Sequence, residues 1–600
     1  MNTHTTTPHP TPLINLPTTI TRPATITGAT IAFAGTFLPW TWTDEFPGDL
    51  TVTGYPGGLQ VLTLVGAALT LLFTLSGYHP RGLRWLTPGG TNSPVRLLAL
   101  GTLGTTGYAL GAIAAKLGGV VNLEPGAWIS GIGALLATLA AFGLPDDQPP
   151  PDNDQQPNTW HRFRHSLRAP SPTRARTLPS WAEILLVVAA FAVSLYVLTY
   201  GIDIDIDNPQ LFIGFIIILG FSVTALGRAG LISRITALTA KYRNITLVAA
   251  LVAALCFPFT QHNEEFVLIG ANILIFGTVA LGLNVVVGLA GLLDLGYVAF
   301  LGVGAYAAAL VSGSPMSPIG VQFPFWAAVL TGAATSLVFG VLIGAPTLRL
   351  RGDYLAIVTL GFGEIFRLTV NALNGNSGPD LTNGSQGIPS IPDLNLLGFD
   401  FGTSHDISGF TLGRSANYYL LMLIVTALVV LVFRRSGESR IGRAWVAIRE
   451  DETAATAMGI NAFRLKLLAF ALGATLAGLA GTVQAHVNYT VTPEQYAFAG
   501  SAPPNSAFLL AAVILGGMGT LSGPLIGAAL LYLIPAKLQF MHDYQLFLFG
   551  IALILLMRFR PEGLVADRRK QLEFHETGQL DVPPDQPLTG QATDATKTGA

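Results

Sequence analysis

Charge is what this sequence has least of. Of 600 residues, 32 are Lys or Arg and 34 are Asp or Glu, 11% of the chain, where a water-soluble globule carries about a quarter. The formal net charge of −2 gives no means of neutralising a phosphate backbone, which argues against a nucleic-acid partner. The one cysteine, Cys256, lies inside an apolar run, so neither a disulfide framework nor a cysteine metal site is available. No GxxxxGK[ST] segment occurs, and no lysine follows a glycine; if ATP is used, another chain must bind it. Residues 1–22 lack the basic-then-apolar order of a secretory signal peptide, which leaves insertion to the first spanning helix. No His/Cys/Asp cluster has metal-ligand spacing. No Ser-His-Asp or paired-carboxylate set can be argued either, so no catalytic residue, metal or cofactor is assigned.

Apolar residues are what the chain has instead. They make up 50% of it, and the mean hydropathy is +0.54. They gather into runs: 183–200, 211–227, 245–259 and 417–433 each hold at most one charge. A helix crossing a bilayer needs about 20 such residues. The chain therefore reads as an all-α, polytopic membrane protein with roughly fourteen spans of that length.

The connections sort by sign. Asp44, Glu45 and Asp49 lie in 41–56 with no base, whereas 78–96 carries Arg81, Arg84 and Arg96. The acidic 201–209 is followed by Arg228, Arg234, Lys241 and Arg243. Lysine and arginine mark cytoplasmic loops, which places the N-terminus inside. The apolar stretch 507–535 is interrupted at Gly516-Gly517-Met518-Gly519 and Ser522-Gly523-Pro524. Read as a broken or re-entrant pair, it keeps the basic tail (Arg558, Arg560, Arg568, Arg569, Lys570) cytoplasmic. Broken helices are tolerated where protein buries them or they line a cavity.

Residues 145–180, rich in Pro, Asp, Gln and Arg, cannot bury a core and read as a disordered cytoplasmic linker. They separate an N-terminal membrane module of about four spans, 1–144, from a larger block, 181–570. Residues 571–600 read as a disordered tail.

The most informative segment is 434–466, RRSGESRIGRAWVAIREDETAATAMGINAFRLK, a basic connection between two clear spans. Ile441, Ala444, Trp445 and Ile448 recur at helical spacing and give an amphipathic helix. The opposite face carries Arg443, Glu450 and Asp451, and Gly459 stands where a left-handed cap would end the helix. Such a face needs a cover. Lipid headgroups are one candidate, but the acidic Glu450-Asp451-Glu452 cluster disfavours an anionic lipid surface, and a protein partner fits better.

This segment resembles the coupling loop of ABC importer permeases, whose pattern is E-A-A-x-x-x-G. Ala454, Ala455 and Gly459 match it, and Thr453 stands at the usual Glu. Residues 439–481 closely resemble the LivM-type subunit of branched-chain amino acid importers. So do 283–310 (LNVVVGLAGLLDLGYVAFLGVGAYAAAL), 348–368, the TNGSQGI turn at 382–388, and 513–528 (VILGGMGTLSGPLIGA). Together these blocks cover most of 245–570. The chain departs at 499–506, a few residues longer than the family usually has, and residues 1–180 have no counterpart in the ordinary subunit. The resemblance implies a plasma-membrane permease that works with cytoplasmic ABC ATPase subunits, a second related permease subunit and an extracytoplasmic substrate-binding protein. Its solute would be a branched-chain amino acid or a related small polar molecule such as urea or a short amide.

Charged groups within spans are functional candidates because each is costly at mid-bilayer. Glu364 and Arg367 share a helix face in the span from Asp353; a structural pair and a gating role both fit. Asp294 sits between two apolar stretches, where backbone amides or a neighbouring helix could stabilise it. Gly516 and Gly517 are candidates for the pathway or its gate. The glycines of 282–304 read as close helix packing or as unwound backbone along a path. His486, beside Asn488 and Tyr489, reads as interfacial. A secondary transporter or channel for small neutral solutes is the alternative. It would need internal repeats and midplane coupling carboxylates, which are not evident. A membrane enzyme would need the missing catalytic set.

Overall fold

A computed structural model describes residues 13–14 and 17–565 apart from 43–57, 79–82, 84, 148–158, 168–177, 262, 351–352, 377, 397, 408–409, 501–504, 539–543 and 560–562. Most of the 145–180 linker, the 571–600 tail, Asp44, Glu45, Asp49, Arg81, Arg84, Arg560, Arg568, Arg569, Lys570 and part of 499–506 fall outside the described residues. The chain forms two compact units, Met1–His262 and Asn263–Ala600.

The first unit holds α1 (Thr18–Gly35), α2 (Leu59–Ser76), α3 (Asn92–Leu117), α4 (Pro125–Phe142), α5 (Thr159–Ser166), α6 (Ser180–Asp203), α7 (Pro209–Arg228), α8 (Leu231–Lys241) and α9 (Arg243–Thr260). It thus includes α6–α9, which the sequence grouped with the later block, and α5 forms within the stretch read as a linker. Its polar centre is Arg96, fully buried, whose guanidinium donates to the carbonyls of Ala141, Leu144 and Ser166. The same group pairs with Asp146 at 2.8 Å, so one side chain ties α3 to the ends of α4 and α5. Between α2 and α3, hydroxyl pairs Thr63–Thr106 and Thr70–Thr102 serve as interhelical polar links, a common device where lipid removes the hydrophobic drive.

The second unit holds α10 (Glu264–Asn284), α11 (Val298–Val311), α12 (Phe325–Thr347), α13 (Asp353–Ala372), α14 (Arg414–Glu438), α15 (Arg440–Glu450), α16 (Glu452–Ala457), α17 (Ala462–Val487), α18 (Ser506–Gly516), α19 (Ser522–Lys537) and α20 (Gln545–Phe559). Two small hairpins, β1 (Asn395–Leu396) with β2 (Phe399–Asp400) and β3 (His405–Ile407) with β4 (Phe410–Leu412), lie between α13 and α14. The TNGSQGI turn is pinned by Ile388 and Val491, whose backbones exchange hydrogen bonds of 2.9 and 3.2 Å.

Helix α17 is the axis of this unit, packed against α10, α11, α12 and α14. Small residues permit the approach. A Cβ at Gly304 of α11 would stand 2.4 Å from the Gly478 backbone of α17, which is small-residue packing of the kind membrane helices use.

Among the described residues, eleven helices are long and apolar enough to cross a membrane, and α11, α18 and α19 are shorter apolar helices. The expected break near 507–535 is present, since α18 ends at Gly516 and α19 starts at Ser522. A second break lies in the Gly-rich block. Helix α10 relaxes into a π-turn over Val285–Leu289, and residues 290–297 are not α-helical before α11 begins.

Candidate functional site

The 434–466 connection is built by local caps. Ser439 starts α15, its side chain accepting from the Gly442 N–H at 3.1 Å. Gly442, Trp445 and Ile448 face inward, and the Trp445 indole N–H donates to the Leu465 carbonyl at 2.7 Å. Ile441, expected on that face, is 40% exposed. The helix also stops one residue short of the expected polar stripe. Asp451 caps a new helix instead, its carboxylate accepting from Thr453 and Ala454 N–H at 2.8 and 3.0 Å. Gly459, at φ +88°, follows α16 rather than α15.

The α16 turn separates the matched residues. Ala455 packs inward with Ile448 and Ala462. Ala454 and Gly459 are exposed, and beside them Met458 is 83% exposed. Arg443 and Glu450 also face outward. Met458 was missed by the sequence reading, although an apolar residue directly before the Gly459 cap in a polar loop was the signal.

Arg449 was missed as well. Its Nε and one terminal nitrogen donate to Glu450 at 3.0 and 2.8 Å, while the other terminal nitrogen donates to the Gly288 carbonyl at 2.7 Å. Helix α15 thereby reaches the π-turn at the end of α10. Just before that turn Asn284, fully buried, accepts from the Gly519 N–H at 2.8 Å and donates to the Thr520 carbonyl at 2.7 Å.

Asp294 lies in the unwound stretch and is buried. Its Oδ1 accepts from the Gly296 N–H at 2.9 Å. The neighbouring Thr359 hydroxyl turns to the Ala356 carbonyl and accepts from the Leu295 N–H, both near 3 Å. A single backbone amide thus holds Asp294, and its Oδ2 is buried without a hydrogen-bond partner. Glu364 and Arg367 form an ion pair of 2.9 Å, and Arg367 also reaches Glu494 at 3.4 Å. All three side chains keep accessible surface.

Gly516 and Gly517 make a tight turn. A Cβ at Gly516 would stand 2.0 Å from the Gly523 carbonyl, and Gly517 adopts φ +120°. The carbonyls of Leu515 and Gly516 accept from the N–H groups of Leu564 and Val565. The structure does not join Asp294, Glu364–Arg367 and Gly516–Gly517 into one cluster of direct contacts.

The end of α17 remote from the docking loop borders a cleft of about 340 Å³, lined by Ser312, Gln322, Phe325, Asp393, Asn395 and His486 among others. His486 is buried there. Its Nδ1 lies 2.8 Å from the Thr482 carbonyl and its Nε2 lies 3.0 Å from the Ser312 hydroxyl. Arg414 braces the rim, pairing with Asp393 at 2.9 Å and stacking on Tyr489.

A family model described as branched-chain amino acid transport system / permease component matches residues 266–557, starting just inside the second compact unit. The LivM permease protein of Salmonella typhimurium is 38% identical over 349 residues, 56% of this chain and 78% of that protein. The chain belongs to the branched-chain amino acid transport permease family. The LivM protein of Escherichia coli is likewise 38% identical, over 55% of this chain and 77% of its own length. LivH of Salmonella typhimurium is more distant, at 24% over 51% of this chain and 95% of its own. No solved structure matches. The permease is a multi-pass membrane protein, and its residues 1–262 precede the family match.

Proposed function

We propose that the permease is the membrane-spanning subunit of an ATP-driven importer, moving branched-chain amino acids or a related small polar solute. ATP is hydrolysed by separate cytoplasmic ABC ATPase subunits docked on α15 and α16. The observation that carries this reading is the exposed, capped turn of α16, where Ala454, Met458 and Gly459 stand together around a knob that the rest of the unit leaves uncovered. The names of the LivM and LivH relatives support the solute.

A second, related permease subunit covers the open side of α13. That side carries Tyr354, Ile357, Ile365 and Leu368, with Glu364 and Arg367 near the middle of the apolar stretch Tyr354–Ala372. Partly exposed charges at that depth are costly against lipid, and a pathway between two subunits removes the cost. Asp294, Glu364 and Arg367 then serve the pathway or its gate, with Gly516 and Gly517 fixing the turn beneath it. A substrate-binding protein delivers solute at the remote cleft, outside, and the basic connections keep both termini in the cytoplasm of a plasma-membrane protein. Residues 1–262 act as an accessory membrane module, extending the 1–144 assignment to the helices that fold with it.

The test is leucine uptake in proteoliposomes holding the permease, its partner permease, the ATPases and the binding protein. Burying Met458 is worth about 1.5–3 kcal/mol, so Met458→Asp weakens ATPase association about tenfold to a hundredfold. ATP-dependent uptake falls in step while the variant still inserts and folds. Uptake that persists without ATPases, or is untouched by Met458→Asp with Ala454→Arg, overturns the reading in favour of a secondary carrier or channel.

A further inference from the structure

Two side chains connect the docking helix to both helix breaks. Arg449 lies on α15 and is held by Glu450, leaving one terminal nitrogen for the Gly288 carbonyl. That carbonyl sits where the chain unwinds. The Ala290 N–H bonds to Val285 and the Leu292 N–H to Val286, and Arg449 takes Gly288. Close packing fixes the arrangement. Gly291, at φ +71°, lies so near Arg449 that a Cβ there would stand 2.4 Å from its Cγ. The π-turn in turn rests on the second break, since a Cβ at Gly288 would stand 2.6 Å from the Gly519 nitrogen. Asn284, one turn before Gly288, grips that same loop with both ends of its amide, through the Gly519 N–H and the Thr520 carbonyl.

We propose that Arg449 and Asn284 are positioning residues that carry displacement of the docking helix α15 through the Gly288 carbonyl of the π-turn into the 517–521 turn between α18 and α19. The proposal rests on the reading of α15–α16 as the ATPase dock. Neither residue faces a partner: Arg449 points at the π-turn and Asn284 is fully buried. Their contribution is the transmission of movement, distinct from docking affinity. A π-turn is suited to this because its spare residue lets a helix end shift without breaking the whole ladder, and coupling between sites needs such an element with two arrangements.

The complete importer, reconstituted in proteoliposomes, gives two readouts on a Cys256→Ser background. One is solute taken up per ATP hydrolysed. The other is the maleimide labelling rate of Ser522→Cys, at an exposed position beside the 517–521 turn, compared without nucleotide and after vanadate trapping. Arg449→Gln is expected to keep ATPase co-purification and ATP hydrolysis, lose about tenfold in uptake per ATP, and abolish the nucleotide-dependent change in labelling. Arg449→Lys restores part of both, because an ammonium can still donate to Gly288. Asn284→Asp, which keeps the acceptor for Gly519 but loses the donor for Thr520, is expected to lose both readouts as Arg449→Gln does. If Arg449→Gln does not purify as a single species, Arg449→Lys and Asn284→Asp carry the same two measurements. Full coupling with an unchanged labelling response in these variants overturns the proposal, as does loss of ATPase binding in parallel with uptake. An unmodified assembly without ATP-dependent uptake overturns the importer reading, and this transmission with it.

Discussion

Replacing Trp445 with alanine isolates what holds α15 to the rest of its unit. Helix α15 has 11 residues, too few for stable helix in water without tertiary support. Its largest buried side chain is the Trp445 indole, which is 1% exposed and bonded to the Leu465 carbonyl. Truncating a buried Trp to Ala costs about 3–5 kcal/mol, whereas Trp445→Phe keeps most of the packing and forfeits a hydrogen bond worth about 1 kcal/mol. At 1.4 kcal/mol per factor of ten, the first change raises local opening of α15 by about a hundredfold to several thousandfold and the second by about tenfold or less. Hydrogen exchange of the 440–450 amides in lipid nanodiscs measures this opening directly. The expected result is near-complete loss of protection across α15 in Trp445→Ala, a modest loss in Trp445→Phe, and unchanged exchange in α10 and α14. Equal protection of α15 in Trp445→Ala and the unmodified protein would refute the anchoring argument, because the helix would then be held by something other than the indole.

Three further changes probe the scaffold. Gly304→Ala forces a methyl into the α11–α17 crossing and should cost about 1–3 kcal/mol, lowering the thermal midpoint, whereas Gly361→Ala, with open space around it, should be neutral or slightly stabilising. Arg96→Met leaves Asp146 and three buried carbonyls without their cation and should cost about 3–5 kcal/mol, seen as early proteolysis within residues 1–262 while the second unit stays resistant. Arg367→Leu leaves Glu364 unpaired within its span and should reduce uptake, and the exchange Glu364→Arg with Arg367→Glu should recover part of it; equal loss in single and double variants would argue against a paired role.

The spans, the amphipathic helix after α14 and the 516–522 break were legible because each has a periodic or compositional signature: long apolar runs, a basic connection with apolar residues at helical spacing, and clustered Gly and Pro. The division of that connection at Asp451 was not legible. An aspartate two to three residues before Thr453 and Ala454 suits an N-cap as well as a polar stripe, and periodicity alone does not separate them. Ala454 and Ala455 are adjacent in sequence yet face opposite ways, which only the helix phase after Asp451 decides. Asn284 and Arg449 carry no spacing signal at all. One is a lone amide among apolar residues, the other a cation in a loop already rich in them, and their roles come from partners 236 and 161 residues away.

The two breaks also explain each other. A helix that starts inside a membrane protein leaves N–H groups that water cannot reach, and each must find a partner in protein. At the start of α11 the Val298 N–H finds the Ser506 hydroxyl at 3.1 Å, and Ser506 is itself the first residue of α18, whose own start is capped by the Asn505 side chain accepting from the Phe508 N–H. Val298, Asn505 and Ser506 are all buried, so the beginning of one short helix supplies the acceptor that the beginning of the other lacks. At the opposite ends of the breaks, Asn284 does the same service for the turn after α18. The Asn284 side chain satisfies backbone groups of the second break, and the Gly-rich 283–304 block and the 513–528 block read as separate signatures only because the contacts that join them span more than 200 residues.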